Sequence, residues 1–337
     1  MGRNGRATLA DIARLAKVDS STVSLVLNRK PLAERLSAET RERVFAAARE
    51  LNYQPSFAAR TLKTGRSGAF GMVVGDLRDP YYSMLAYHMI AAAQARGYQV
   101  LTCATGWDPQ KEVELLRMLY DRNVDGVFYV PGSLKRDPAL YETLRDQRFP
   151  LITYCTDESD FATAAIDYSE GFRLAVADLA GRHRRIGHIS SVSTCYRNLQ
   201  ESVKTACRLA GVELIERRFE GIGLPECVEE IADYVRASDI SAFIVNGSVT
   251  AVRLINRLEQ FGLRVPRDLE IVGVGDLEVL SLCRPALSCI NYDTAALMEQ
   301  AVELLIRYRE SGPGQVALVP SGYIARNSTR STLENPI

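Results

Sequence analysis

TLADIARLAKVDSSTVSLVLN, residues 8–28, decides how the N-terminal part of the chain folds. Thr8 precedes Leu9-Ala10-Asp11, and Asp11 lies three residues on. That is close to a capping box, with Asp in place of Glu. Leu9, Ile12, Ala13 and Ala16 then recur at helical spacing. Lys17-Val18-Asp19 breaks the pattern. Asp19 or Ser20 can cap a second helix from about Ser21 to Leu27, which would bury Val23 and Val26 or Leu27. Two short helices joined by so tight a turn form a helix-turn-helix. Ser37 caps a third helix, Glu39 suits its dipole, and Val44, Ala47, Ala48 and Leu51 form its apolar stripe.

In that motif the second helix enters the major groove and its first residues reach base edges. Here these are Ser20, Ser21 and Thr22, with Leu25 one turn on. Hydroxyls donate or accept, and Leu25 offers apolar contact, for instance to a thymine methyl. Arg14, Lys17, Arg29 and Lys30 flank the motif and suit phosphates, which position a domain without reading sequence. Beyond the third helix, Pro55 stops the preceding structure and Ser56 can cap a short fourth helix ending at Leu62. The polar run Lys63–Gly68 follows as a linker. A helix this short is marginal alone in water and is a candidate for folding on binding.

Charge follows the same boundary. The 337 residues carry 41 Lys and Arg against 41 Asp and Glu, which excludes a chain that is basic throughout. Residues 1–66 hold 13 basic and 6 acidic residues, or +7, which leaves −7 for residues 67–337. Such asymmetry points to a nucleic-acid-binding part joined to an acidic one.

Residues 67–337 alternate strand and helix patterns. One series has strands at 69–74, 99–104, 126–130 and 151–153. A second has strands near 164–166, 186–190, 242–245 and 271–274, followed by strands at 288–291 and 316–318. Alternation of this kind gives parallel sheets covered by helices, and two series give two doubly wound lobes. Ligands bind such folds outside the carboxyl ends of the strands, and a cleft between lobes suits a small molecule.

Several function classes are disfavoured. There is no P-loop, and no GxSxG or GxGxxG after a strand, so neither an enzyme nor a cofactor is called for. Seven cysteines without a CxxC pair fit reduced structural thiols. His183 and His188 lack metal-site context and read as surface or strand-end residues, and no metal is expected. No apolar run reaches membrane-spanning length, and the N-terminus lacks a signal-peptide core. The chain therefore reads as cytoplasmic, with no membrane partner.

The run quoted above, followed by SAETRERVFAAARELNYQPSFAARTLKTGRSGAFGMVV (37–74), resembles the lactose/galactose-repressor (LacI/GalR) family of bacterial transcription regulators. The body resembles it too, through Asp79-Pro80-Tyr81-Tyr82, Asn123–Val127, Arg184–Ile189, Gly262–Pro266, Val272–Asp276 and Ile324–Thr329. The resemblance implies an all-α helix-turn-helix domain (1–54), a hinge helix and linker (55–66) and an α/β periplasmic-binding-protein-like body (67–337). The body's two doubly wound lobes would be about 67–162 with 292–320, and about 163–291 with 321–337.

The resemblance further implies a sequence-specific regulator, usually a repressor. It would bind a near-palindromic site on double-stranded DNA as a homodimer and would be controlled by a small-molecule effector between the lobes. The implied DNA-contacting set is Thr8, Ser20, Ser21, Thr22, Ser24, Leu25, Asn28, Tyr53, Ser56, Ala59 and Leu62. Leu62 stands where a hinge leucine wedges a base step in the minor groove. The implied effector set is Asp79, Tyr81, Tyr82, Arg197, Asn246, Asp276 and Tyr292. Three places depart from the family pattern, one being Asn198-Leu199-Gln200-Glu201 after Arg197, where the family more often has a Gly-aromatic pair. Leu25 follows Thr22-Val23-Ser24 where an arginine is common, so the operator half-site should differ. Gly247 follows Asn246 where the family usually has the aspartate that accepts bonds from sugar hydroxyls. Glu201 is a candidate replacement carboxylate, and the alternatives are a sugar or derivative, a non-sugar ligand, or no effector.

Overall fold

The computed structural model describes residues 7–28, 31–53, 66–130, 132–154, 160–192, 197–220 and 225–331. The chain divides into two compact units, Met1–Ser67 and Gly68–Ile337. The expected fourth helix at Ser56–Leu62 lies outside the described residues.

The first unit is the expected three-helix core. α1 (Leu9–Ala16) starts at a complete capping box: the Asp11 N–H donates to Thr8 Oγ1 at 3.3 Å, and the Thr8 N–H donates to Asp11 Oδ2 at 3.0 Å. Lys17 ends it in the left-handed region at φ 52°, so the chain turns into α2 (Ser20–Leu27). Asp19 is the N-cap of α2, though its side chain makes no capping bond. Ser37 caps α3 (Ala38–Glu50) by accepting from the Thr40 N–H at 3.1 Å. Ile12, Val23, Val26, Val44 and Ala47 are buried together, so each helix contributes its apolar stripe to one core. A short 3-10 helix at Pro31–Arg35 adds Ala33 to that core.

The second unit winds a sheet of eleven strands. Its elements are β1 (Ala69–Val74), α4 (Pro80–Gln94), β2 (Gln99–Ala104), α5 (Pro109–Asp121), β3 (Val127–Tyr129), α6 (Pro138–Asp146), β4 (Leu151–Tyr154) and β5 (Ala162–Asp167). There follow α7 (Ser169–Ala180), β6 (Arg185–Ser191), α8 (Arg197–Ala210), β7 (Glu213–Phe219), α9 (Cys227–Ala237), β8 (Ala242–Val245), α10 (Ser248–Gln260), β9 (Glu270–Val274), β10 (Ser288–Tyr292), α11 (Thr294–Ser311) and β11 (Val316–Ile324). α4, α5 and α6 each begin at an Asp-Pro pair. The aspartate accepts a bond from a first-turn N–H, and proline at the next position has no N–H to satisfy.

Strand order is β2-β1-β3-β4-β5-β11-β10-β9-β8-β6-β7. The strands from β2 to β5 are parallel, and those from β10 to β7 repeat that order in mirror sequence. β11 joins the halves: Val316–Pro320 run parallel to β5, and Ser321–Ile324 pair antiparallel with β10. Two series of strands were expected. One strand shared between them was not, because three apolar residues at 316–318 give no hint of a nine-residue strand.

Two further differences have physical causes. The sequence pattern places the strand at 164–166 with the second series, but β5 is hydrogen-bonded to β4 and to the first half of β11. β7 was missed. It is an edge strand, and its sequence ELIERRF mixes charges into the apolar positions because one side faces solvent. His183 and His188, expected near the surface, are 7% and 0% exposed.

Candidate DNA-binding face and ligand cavity

The helix-turn-helix exposes what its core does not use. Ser20, Ser21 and Asn28 are exposed, and Thr22 and Ser24 are half-buried on the same helix. Asn28 Nδ2 donates to the Ser24 carbonyl at 2.6 Å and to Ser24 Oγ at 3.2 Å, which fixes the end of α2. Arg14 is exposed and lies 3.5 Å from Asp11, while Lys17 is exposed at the turn. Three members of the expected DNA-contacting set have structural duties. The Thr8 hydroxyl is engaged in the cap, with Oγ1 donating to Asp11 Oδ2 at 2.7 Å. Leu25 and Tyr53 are half-buried and pack against the three-helix core. Ser56, Ala59 and Leu62 lie outside the described residues.

The body encloses a cavity of about 380 Å³. Its lining comes from segments at the carboxyl ends of strands: Asp76, Arg78 and Asp79 after β1, Trp107 after β2, Tyr154 at the end of β4, Tyr168 after β5, Asn246 after β8 and Tyr292 at the end of β10. This is the edge where doubly wound sheets bind ligands. α4 adds Tyr81 and Tyr82, and α10 adds Ser248, Thr250 and Arg253.

Aromatic rings make most of one wall. Tyr81 and Tyr154 share a hydrogen bond between their hydroxyls at 2.6 Å. Tyr82 meets Tyr81 edge-on at 5.2 Å between centroids and Trp107 at 5.4 Å. Tyr168 and Tyr292 cross at right angles, 6.0 Å apart. The Trp107 ring lies against Gly75, where a Cβ would come within 2.5 Å of it, so glycine there makes room for the ring. Burial, with Tyr292 and Tyr168 nearby, pushes the Tyr81 phenol well up, so it stays neutral. Asp79 accepts from the Tyr81 N–H at 2.9 Å. Burial pushes its carboxyl up, against the opposing pull of that bond and of Arg253. Asp76 holds Arg78 at 2.7 Å, and that guanidinium keeps the Asp76 carboxyl below its usual value.

Of the effector set, Asp79, Tyr81, Tyr82, Asn246 and Tyr292 line this cavity. Asp276 does not: Arg326 grips both its oxygens at 2.9 Å, so the carboxylate anchors the segment after β11 instead. Glu201 does not line it either and pairs with Lys204 at 3.0 Å. Arg197 begins α8, and its side chain lies outside the described residues. Trp107, Tyr154, Tyr168 and Arg253 line the cavity and were not singled out from sequence. Their signal was positional, since all but Arg253 sit at or just after the end of a strand. Among the described residues no cluster of His, Cys, Asp and Glu could hold a metal ion. No helix among them is long and apolar enough to cross a membrane.

Comparison with known proteins places both units. Residues 8–56 match the model of bacterial regulatory proteins of the lacI family, and residues 177–329 match a periplasmic binding protein-like domain. The HTH-type transcriptional repressor PurR of Aliivibrio salmonicida is 30% identical over 314 residues, covering 89% of this chain and 91% of its own. The HTH-type transcriptional regulator RegA of Clostridium acetobutylicum is 28% identical over 312 residues, covering 89% and 92%. The lac repressor dimer, solved with operator and the anti-inducer ONPF, shares the fold with a TM-score of 0.82. It is 24% identical and covers 96% of this chain and 99% of its own. With a helix-turn-helix at one end and a ligand-binding body after it, the chain belongs to the lacI family of bacterial regulatory proteins, non-enzymatic DNA-binding regulators of transcription.

Proposed function

We propose that the chain is a repressor whose affinity for an operator is set by a small effector in the cavity of the body. The observation that carries this is one chain holding both an exposed Ser20-Ser21 helix start and a buried, ligand-sized cavity at strand ends. DNA contact is assigned to Ser20, Ser21, Thr22, Ser24 and Asn28, with Thr8, Leu25 and Tyr53 supporting the helices that present them. Ser56, Ala59 and Leu62 are assigned to a hinge that enters the minor groove. Two copies would present two recognition helices to a near-palindromic site. The body's lobes are assigned to the two halves of the sheet, and the pairing of β4 with β5 supports counting β5 with the first.

Effector contact is assigned to Asp79, Tyr81, Tyr82, Asn246, Tyr292 and Arg197, joined by Trp107 and Arg253. Aromatic faces and edges suit the apolar side of a ring, and Asp79 can accept from a hydroxyl. Gly247 offers no carboxylate, so a neutral sugar held by an aspartate at that point is disfavoured against a different ring ligand. Control would be linkage: an effector that favours one arrangement of the lobes changes DNA affinity, and DNA changes effector affinity by the same factor.

A footprint on the DNA upstream of the chain's own gene, repeated over a range of salt, tests the DNA half. A protected near-palindrome whose affinity falls steeply with salt is expected, and absence of any protected site would sink the reading. A melting-temperature screen of sugars, nucleobases and sugar phosphates tests the effector half, because a ligand of the folded state raises the melting temperature.

A further inference from the structure

α10 meets the cavity with its amino end uncapped. Its N-cap is Gly247, at φ 88° and ψ 108°, which has no side chain to offer. The first turn closes from the Ala251 N–H to the Gly247 carbonyl at 3.1 Å, and the N–H groups of Ser248, Val249 and Thr250 have no acceptor among the described residues. α4, α5 and α6 are capped by aspartate, whereas α10, like α2, α7 and α9, has no side-chain cap. Unsatisfied amides and the helix dipole together favour an anion.

The surroundings make this end more than a bare terminus. Asn246, Ser248 and Thr250 are 8%, 5% and 1% exposed, and all three line the cavity. No side-chain hydrogen bond of these three is found among the described residues, and none of their polar atoms is a sealed orphan, so they open to the cavity, where a ligand can bond them. Arg253, on the next turn of the same helix, lines the same cavity and brings a guanidinium suited to paired oxygens. Of the three acids in the lining, Asp76 is committed to Arg78, Asp79 caps α4, and Glu226 stands within electrostatic reach of Arg78. The aromatic wall of Trp107, Tyr81 and Tyr82 takes a ring.

We propose that the ligand of this cavity is a ring compound carrying an oxyanion, a phosphate ester or a carboxylate, received by the first-turn amides of α10 with Asn246, Ser248, Thr250 and Arg253. This rests on the reading of the cavity as the effector site, and it also accounts for glycine at position 247: an aspartate there would cap the helix and repel the anion.

Trp107 is the one tryptophan of the chain and lies in the cavity, so its emission reports occupancy. The full chain is titrated with inorganic phosphate at constant ionic strength. A saturable change in emission at about millimolar phosphate is expected. It should weaken by at least about tenfold in Arg253→Gln and in Ser248→Ala, with melting temperatures in chloride unchanged. Ser248→Ala removes one hydroxyl and keeps the fold even if Arg253→Gln does not. Displacement of phosphate by glucose 6-phosphate but not by glucuronate assigns a phosphate ester, and the reverse assigns a carboxylate. No saturable change with phosphate, or equal affinity in parent and variants, overturns the proposal. A neutral ring compound that moves both Trp107 emission and DNA affinity, with phosphate inert, overturns the oxyanion while leaving the effector reading standing. Phosphate that binds at α10 without changing DNA affinity supports the site and sinks the effector reading.

Discussion

The helix-turn-helix and the cavity carry their functional side chains in opposite ways. On α2, Ser20 and Ser21 face water while Val23 and Val26 hold the core, so the proposed recognition and the packing use different atoms. In the cavity, Tyr82, Tyr154 and Asn246 are buried and line the ligand space at once, so the same atoms do both. A surface reader can therefore change its target with little structural consequence. A cavity reader changes its ligand by repacking its own wall.

The largest test of that contrast lies in the body, where even charge is structural. Glu270 is 0% exposed, and its carboxylate receives Arg182, His183 and both the backbone and side chain of Arg330 at 2.8–3.1 Å. Glu270→Gln should cost the body about 2–3 kcal/mol, because Arg182 and Arg330, both partly exposed, lose the buried carboxylate they share. Calorimetry should show the transition of the first unit unmoved, and an equal shift in both units would break the contrast. The same cluster sets an acid limit. Burial opposes the charge on Glu270, but Arg182, His183 and Arg330 outweigh it and hold the carboxyl down to about 2. Its contribution is complete above the ordinary value of 4.5 and is lost as pH falls from there towards 2. An acid melting series should show this loss in the parent and not in Glu270→Gln.

A smaller effect is expected at Tyr154→Phe. It removes the partner of Tyr81 at 2.6 Å and should lower stability by about 1 kcal/mol while also changing ligand affinity. A change in only one of the two would argue against shared atoms. Thr8→Ala should cost the first unit about 1 kcal/mol through its cap and leave the body unchanged. Smallest in stability is Ser21→Ala, within about 0.5 kcal/mol. Its specific DNA affinity should still fall by about 1–3 kcal/mol, measured as a Kd on the selected site and on random DNA. Equal loss on both would show that Ser21 positions the domain and reads no base.

The two regions also differed in how far the sequence exposed them. The helix-turn-helix is local: Thr8, Asp11, Val23, Val26, Ser37 and Val44 could each be assigned a role from neighbours a few residues away. Strand and helix alternation likewise showed the body's class. The edge strand β7 was hidden by its solvent-facing charges, and β11 by its division between two halves. The cavity was half legible. Tyr81, Tyr82, Asn246 and Tyr292 carried family motifs, whereas Trp107, Tyr154 and Tyr168 meet only because the strands are parallel and their carboxyl ends gather on one edge. Asp276 sat in a motif but is held by Arg326, fifty residues away, a pairing no local pattern announces. His183 and His188 misled for the same reason: the groups that bury them come from distant strands and helices.

In the proposed control, cavity and DNA site share one equilibrium. Trp107 emission measures the affinity of a ligand from the melting screen, first for the free chain and then for the chain saturated with its selected operator. The change in ligand affinity is expected to equal, factor for factor, the change in operator affinity when ligand is saturating. Identical ligand affinity with and without operator would contradict it.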